Sequence, residues 1–272
     1  MIEKNGIVEE VIEIQPGIFI LKVKSFQIAA LAKPGQFCNI KVSDSLTPFL
    51  RRPFSICEVE NDIISFQFNL VGEGTKVLSN KKKGDLLNII GPLGIGFNYS
   101  DNFENAIIVA GGIGAAPFPM LTNSFSSDKK VTSFIGGKSK KDLIKYKLKN
   151  IVVSTDDGSE GFCGNVVQLL ESEIHKYDKL KTKIFACGPN AMLRALSKFT
   201  IEKGFNCEIS TESVMACGFG ICQGCNIEGV NSDRFLLVCK DGPVFKAEDV
   251  KLWTMLIWLS KLEVYSFKIQ YF

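Results

Sequence analysis

Four cysteines near the C-terminus constrain this chain more than any other feature of its sequence. They follow the spacing C-x4-C-x2-C-x13-C and are Cys217, Cys222, Cys225 and Cys239. Three thiolates from one tight loop and a fourth from a distant segment match the plant-ferredoxin spacing for a 2Fe–2S cluster. Three glycines between the first and third cysteines allow the loop to fold back on itself. The spacing therefore predicts a cluster that moves one electron at a time.

A structural zinc site is the alternative for these cysteines. Such a site would normally pair two C-x2–4-C knuckles, and the second knuckle is absent. Disulfides fit less well, because nine cysteines is an odd number and the charged, alternating start of the chain has no apolar signal-peptide core. We expect a reducing, cytoplasmic environment. The remaining cysteines with no predicted role are expected to be buried small apolar residues: Cys38, Cys57, Cys163 and Cys207.

Composition excludes several classes of protein. The chain has 272 residues, 46% of them hydrophobic and 22% charged, as is ordinary for a globular protein of about two domains. The net charge of +3 is small and the lysines are spread along the chain, so no nucleic-acid partner is expected. The apolar stretch 252–259 is much shorter than the roughly 20 residues that span a bilayer, so no membrane association is expected.

Periodicity divides the chain into regions of different character. Residues 1–100 contain short alternating runs separated by turn signals, which predict a small antiparallel β-barrel. Residues 101–205 alternate apolar runs with helical patterns, which predict a parallel α/β sheet. Residues 206–250 carry the cysteines and predict a small cluster module, and 251–272 form a tail of unknown role.

Two glycine turns follow predicted strands of the α/β region. Glycine at such a turn lets the backbone approach a pyrophosphate, and a following helix N-terminus favours the anion. The first turn alone is a weak signal, since a proline replaces the last glycine of the dinucleotide fingerprint and a plain strand–helix turn explains it equally well. The second turn, at another strand end of the same sheet, favours a binding crevice. The residues concerned are Gly111, Gly112, Gly114, Cys187, Gly188 and Pro189.

Two further segments of the barrel region are candidate flavin contacts. In Arg52-Pro53-Phe54-Ser55 the guanidinium can hold a phosphate in a fork and the hydroxyl can contact a flavin ring. Gly72-Glu73-Gly74-Thr75 is a possible phosphate-facing turn, although by itself it also fits a hairpin loop.

In this order, the motifs resemble those of ferredoxin-NADP-reductase-like flavoproteins. More closely, they are similar to the family of electron-transfer subunits of type B dihydroorotate dehydrogenase, over about residues 5–250. Thr155-Asp156-Asp157-Gly158-Ser159 and the ending Asp241-Gly242-Pro243-Val244-Phe245 add to the likeness. The resemblance implies an FAD-binding β-barrel, an NAD-binding α/β domain and a C-terminal 2Fe–2S module.

The resemblance also implies roles for residues. Arg52 would face the FAD pyrophosphate and Ser55 the flavin N5 region, beside Pro53 and Phe54. The two glycine turns would face NAD(H), with Cys187 near the nicotinamide. The flavin and its phosphates would further be lined by Asn69, Leu70, Val71, Gly74 and Thr75, and the cluster held by Cys217, Cys222, Cys225 and Cys239.

By the same resemblance, NADH reduces FAD, and the cluster passes single electrons to a partner. That partner would be an FMN-containing dihydroorotate dehydrogenase catalytic subunit of pyrimidine biosynthesis, in a heterotetramer with two of each subunit. Related subunits of ferredoxin:NADP oxidoreductase, sulfite reductase or hydrogenase complexes are the alternative, and a non-redox zinc-stabilised binding module is a third. The sequence departs from the wider family in having Phe54 where tyrosine is frequent. Lysines in Gly137-Lys138-Ser139-Lys140-Lys141 also favour NADP over NAD.

Overall fold

The N-terminal part of the chain forms a closed antiparallel barrel, as predicted. The computed structural model describes residues 1–45, 47–230 and 234–252. The strands lie in the order β1-β2-β5-β4-β3-β6 around the barrel. Their bounds are β1 Ile2–Gln15, β2 Ile18–Lys24, β3 Phe37–Lys41, β4 Arg52–Glu60, β5 Ile63–Asn69 and β6 Leu86–Leu93, with short helices α1 Phe26–Ala29 and α2 Glu73–Ser79 between them.

Successive side chains of a strand point to opposite faces, so each barrel strand turns one face to the interior. The inward residues form one core, to which β3 contributes Cys38 and Ile40 and β5 contributes Ile64 and Phe66. The outward face of β3 is buried as well: Phe37 belongs to a different core, which it shares with the cysteine module. The barrel therefore has a second packing surface on β3.

The second part of the chain is a seven-stranded sheet in the order β10-β9-β8-β7-β11-β12-β15. All its neighbouring pairs are parallel except β12–β15. The central strands β7 and β11 are buried and mostly apolar, as the parallel α/β prediction requires, whereas the short strand β10 is exposed. The bounds are β7 Asn105–Gly111, β8 Lys130–Gly137, β9 Ile151–Thr155, β10 Phe162–Cys163, β11 Thr182–Cys187, β12 Asn206–Ser210 and β15 Val244–Lys246.

Helices cover this sheet. α3 is Phe118–Ser124, α4 is Val166–Glu173 and α5 is Asn190–Lys203. The Asn165 side chain caps α4 by accepting from the backbone N–H of Val167 and Gln168, each at 3.0 Å. Over the described residues, no helix is long and apolar enough to cross a membrane.

The cysteine module is inserted at one edge of the sheet. It contains a three-stranded antiparallel sheet of β13 Asn226–Gly229, β14 Phe235–Leu237 and β16 Val250–Lys251. Strands β12 and β15 fall within the range 206–250 that the sequence assigned to the module, yet both belong to the larger sheet. The first and last strands of the range predicted for the module therefore belong to the α/β region. The tail from Trp253 onward lies outside the described residues.

A buried ion-pair network fixes the segment between barrel and sheet. The Lys183 ammonium on β11 is almost fully buried and lies 2.5 Å from Asp101 and 2.8 Å from Glu208. It also donates to the Asn98 carbonyl at 2.7 Å, and the Asn98 N–H donates to Glu208 at 2.9 Å. Because a buried charge needs such partners, the network holds the linker against β11 and β12.

Candidate functional site

A cleft between the barrel and the carboxyl ends of the parallel strands brings most of the predicted flavin residues together. Its cavity has a volume of about 300 Å³, the lower end of the usual range for ligand pockets. The barrel contributes seven residues to its wall and the sheet a further group that includes Cys187. From the predicted set the cavity is lined by Pro53, Phe54, Ser55, Asn69, Val71, Thr75 and Cys187.

The wall of this cleft fits a flavin. Phe37, Phe54 and Phe68 supply apolar surface. Two buried side-chain atoms of the wall, Asn69 Oδ1 and Gln67 Nε2, have no hydrogen-bond partner among the described residues. Buried polar atoms normally have a hydrogen-bond partner. An unpaired acceptor and an unpaired donor in this cleft therefore fit a heterocycle whose edge carries both donors and acceptors, as that of a flavin does.

Arg52 lies beside the cleft and against helix α2. A Cβ on Gly74 would lie 3.1 Å from Arg52 Nε, so the guanidinium covers the start of that helix. Arg52 Nη1 donates to the Leu50 carbonyl at 2.5 Å. The structure thus joins the two segments that the sequence predicted to hold phosphates.

The Thr75 hydroxyl also stabilises the turn before α2. It accepts from the backbone N–H of Val71 at 3.0 Å and of Gly72 at 3.1 Å, which closes the turn before α2. Leu70 and Val71 are exposed at the rim, with Val71 81% exposed. Their exposed apolar side chains are available to a bound flavin.

The two glycine turns of the sheet meet at its carboxyl edge. A Cβ on Gly111 would lie 2.9 Å from Pro189, and one on Gly114 would lie 2.3 Å from the Cys187 carbonyl oxygen, so these glycines are required for close backbone packing. Gly112 differs, since it has φ +54° and open space where a Cβ would stand. The opening is a cradle that a dinucleotide phosphate could enter. The first turn continues as a 3-10 helix over Gly112–Ala115, and α3 starts only at Phe118.

Cys187 and Glu212 face the flavin cleft from the sheet side. Burial raises the pKa of the Cys187 thiol, so it remains protonated at neutral pH. Glu212 follows β12. Desolvation by the surrounding protein raises the pKa of its carboxyl, although part of the residue is exposed. Sequence reasoning missed Glu212, Met215 and Gln67, because no local motif marks them. The only available signal for Glu212 was its position just after a strand of the parallel sheet.

The four predicted cluster cysteines lie together in two pairs. The Cys222 N–H donates to Cys217 Sγ at 3.4 Å, and the Cys239 N–H donates to Cys225 Sγ at 3.4 Å. In the part of the chain that the structure describes, no three Cys, His, Asp or Glu side chains are close enough to hold a single metal ion. Two pairs of thiols suit a binuclear cluster, in which each iron takes two protein ligands.

The protein surroundings shift the pKa values of two of these cysteines in opposite directions. Burial opposes ionisation of Cys217, but N–H donors of Cys222, Phe219 and Ile221 together with the Cys222 thiol lower its pKa to about 6. Burial, together with the neighbouring Cys225, raises the pKa of Cys239 to about 12. The loop is tight because Gly218 and Gly220 adopt φ +80° and +91°.

All nine cysteines are free thiols. Cys38, Cys57 and Cys207 are buried, as expected. The expectation is wrong for Cys163, which is exposed because the short edge strand β10 has no neighbour on its outer side.

One carboxylate pairs with two of the lysines that follow β8. Glu160 forms ion pairs with Lys145 and, at 3.7 Å, with Lys140. The Lys140 N–H also donates to Ser159 Oγ at 2.7 Å. The expected positive patch for a 2′-phosphate is therefore reduced.

A flavin-sized cleft on an antiparallel barrel, joined to a parallel sheet with glycine turns, defines the fold of ferredoxin-reductase-like flavoproteins. A structure of the NADH-dependent reduced ferredoxin-NADP oxidoreductase matches with a TM-score of 0.81 at 24% identity, covering 94% of this chain and 93% of that chain. A ferredoxin NADP+ reductase from Neisseria gonorrhoeae with bound FAD and NADP matches with a TM-score of 0.60 at 18% identity, covering 74% of this chain and 92% of that chain. At these identities the two structures establish the fold.

Sequence similarity establishes the family. Residues 212–251 match the iron-sulfur cluster binding domain of dihydroorotate dehydrogenase B. The chain is 35% identical to the dihydroorotate dehydrogenase B (NAD(+)) electron transfer subunit of Fusobacterium nucleatum, over 90% of this chain and 97% of the relative. It is 36% identical to that of Bacillus mycoides, over 93% and 100%. The chain belongs to this family of electron transfer subunits, and it is an oxidoreductase subunit.

Proposed function

We propose that the chain carries electrons from NADH, through FAD and a 2Fe–2S cluster, to a catalytic partner that interconverts dihydroorotate and orotate. When bound, FAD accepts a hydride and releases single electrons, and the cluster relays them. The partner is an FMN-containing dihydroorotate dehydrogenase subunit, and two copies of each subunit form a heterotetramer. Membership of the electron transfer subunit family supports this assignment.

One observation carries the proposal. The flavin cleft and the cysteine loop share a wall, in which Phe37 of β3 and Met215 line the cleft and also pack in one core with Cys225 and Cys239. Electrons leaving a flavin in the cleft would cross this wall to reach the cluster. No side chain needs to act as an acid or a base in this relay.

Each cofactor has its own set of residues in the proposal. The barrel, 1–100, holds FAD through Arg52, Ser55, Asn69 and Thr75. The α/β region, 101–205, holds NAD(H) at the glycine turns. The module, 206–250, holds the cluster by its four cysteines, and their arrangement in two pairs supports a cluster over a zinc ion. Nine free thiols support a reducing cytoplasmic location.

The coenzyme is NADH in this proposal. The relatives are named for NAD(+), and the pairing of Glu160 with Lys140 and Lys145 supports the same choice by removing positive charge from the loop after β8.

The test is to co-purify the tagged chain with the FMN-containing subunit, and to measure cofactor content and NADH-dependent reduction of orotate. We expect FAD and a 2Fe–2S cluster on this chain and turnover in the complex. A complex that carries FAD, cluster and FMN but does not reduce orotate would refute the proposed partner. Capture of a ferredoxin, sulfite reductase or hydrogenase subunit that accepts the electrons would favour the alternative.

A further inference from the structure

Asn39 occupies an unusual place on barrel strand β3. Its neighbours Cys38 and Ile40 point into the barrel core, so Asn39 and Phe37 lie on the outward face. Asn39 is nevertheless completely buried, with 0% of its surface exposed. A carboxamide on the outside of a barrel is buried only if another part of the chain covers it, and here the cysteine loop does so.

Two contacts join Asn39 to this loop. Asn39 Nδ2 donates to the Cys217 carbonyl oxygen at 3.0 Å, across 178 positions of sequence. The next residue, Gly218, has φ +80°, and a Cβ there would lie 2.6 Å from Asn39 Nδ2. The backbone of the loop therefore contacts the Asn39 carboxamide directly at the first of the four cysteines and at the glycine that follows it.

The backbone of Asn39 faces the flavin strand. In the β3–β4 ladder, Asn39 is the partner of Pro53 and Phe37 is the partner of Ser55. Pro53 and Ser55 line the flavin cleft. Asn39 thus contacts the flavin strand through its backbone and the cluster loop through its side chain. The route from Pro53 to Cys217 consists of one cross-strand pair and one hydrogen bond.

We propose that Asn39 is a positioning residue for electron transfer, which fixes Cys217, the first of the four cysteines, relative to the strand that lines the flavin cleft. The inference rests on the proposed function, since it requires both cofactors. Hydrogen bonds around metal ligands orient those ligands and tune the metal, and for iron–sulfur clusters they influence the reduction potential. Loss of this hydrogen bond removes the side-chain partner of the Cys217 carbonyl and frees this end of the loop.

The test compares the wild-type holoprotein with Asn39→Leu, which is close in size but has no donor. We expect normal FAD content and a normal rate of flavin reduction by NADH. The cluster should show an altered EPR spectrum, a shifted midpoint potential, and an about fivefold faster release of iron to a chelator, the factor for a hydrogen bond of about 1 kcal/mol. Asn88→Leu is the matched control, because Asn88 lies on the neighbouring strand β6 and its side chain bonds Asn5 and Arg51 instead of the loop; it should leave the cluster unchanged.

A second variant keeps the inference testable if leucine at position 39 prevents folding. Asn39→Ala also removes the donor but adds no bulk beneath Gly218, and it should change the EPR spectrum, the potential and the iron release in the same direction as Asn39→Leu. An unchanged spectrum, potential and iron release in whichever of the two variants folds would overturn the inference. A wild-type protein without a 2Fe–2S signal would instead refute the proposed function.

Discussion

At the residue scale, Arg52 is the side chain proposed to bind the flavin phosphates. It lies against Gly74 at the start of α2, and the next residue, Pro53, lines the cleft. We expect Arg52→Ala to weaken FAD binding about 10- to 150-fold, because a charge-assisted hydrogen bond contributes about 1.5–3 kcal/mol. Titration of the apoprotein with FAD measures this. Lys83→Ala, which removes an exposed positive charge that pairs with Glu9, should leave the affinity unchanged, and equal affinities in all three proteins would show that another residue holds the phosphate.

Coenzyme choice is also expected to depend on single residues. Glu160 pairs with Lys140 and Lys145, which follow β8. In Glu160→Lys both lysines lose their partner and a third positive charge is added. We expect the ratio of kcat/KM for NADPH to that for NADH to rise about tenfold, which corresponds to about 1.4 kcal/mol.

Steady-state assays with a dye acceptor measure that ratio. Glu202→Lys is the matched control, since it makes the same charge change at an exposed position of α5, where Glu202 pairs only loosely with Lys198 at 3.8 Å. A ratio that does not move in Glu160→Lys, or that moves equally in the control, contradicts the assigned role of Glu160.

The sequence predicted residues that belong to contiguous motifs and missed those that tertiary contacts bring together. Pro53, Phe54 and Ser55 were identified because they are adjacent in one motif, and the structure places all three at the cleft. Glu212 reaches the same cleft from a strand end more than 150 positions away, so no local pattern reveals it. The pairing of Lys140 and Lys145 was missed for a similar reason, because their partner Glu160 lies beyond the next strand, β9.

At the element scale, the cysteine loop and the flavin cleft are built from different segments and should be separable. Cys222 is exposed on the loop, whereas the cleft is lined by the barrel, the sheet and residues 210–215. We expect Cys222→Ser to abolish the cluster absorbance and EPR signal while FAD content and flavin reduction by NADH stay at the wild-type level. Transfer of electrons to the partner should fall below detection.

Cys163→Ser is the control for that experiment. Cys163 is also an exposed thiol, but it lies on edge strand β10, outside the loop. It should retain the cluster and full transfer. Undiminished transfer in Cys222→Ser would mean that electrons leave the flavin by a route that avoids the cluster.

The elements themselves were predictable to different degrees. Barrel strands alternate in sequence and were found. Strand β12 and the edge strand β15 were assigned to the cysteine module, because β15 is only three residues long and joins the sheet antiparallel after the segment that carries the cysteines. The second packing surface of β3 was not predictable either, since an asparagine in an alternating strand is typical of a solvent-facing position, and nothing near Asn39 in the sequence indicates otherwise.

At the scale of the whole molecule, the described residues form one relay with its exit at the cysteine loop. Phe97 packs on Phe118 and Phe185 of the sheet, and Lys183 fixes the linker, so barrel and sheet are held together. Ile221 in the loop is 75% exposed and Val214 before it is 88% exposed. Exposed apolar side chains beside the loop are suited to contact with another protein. The apolar tail after Leu252, to which the sequence assigns no role, lies outside the described residues.

This arrangement predicts a strict division of labour between the chain and its partner. The cleft is matched to a flavin and a nicotinamide, and the barrel, sheet and cysteine module use nearly all the described residues. We expect the isolated chain to reduce a dye with NADH but to leave dihydroorotate unoxidised. Addition of the FMN-containing subunit should start dihydroorotate oxidation, and the Cys222→Ser chain should fail to couple it to NAD+ reduction. Dihydroorotate turnover by the isolated chain, measured with a dye acceptor before the subunit is added, would refute this division, because it would require a substrate site in the part of the molecule assigned here to electron transfer.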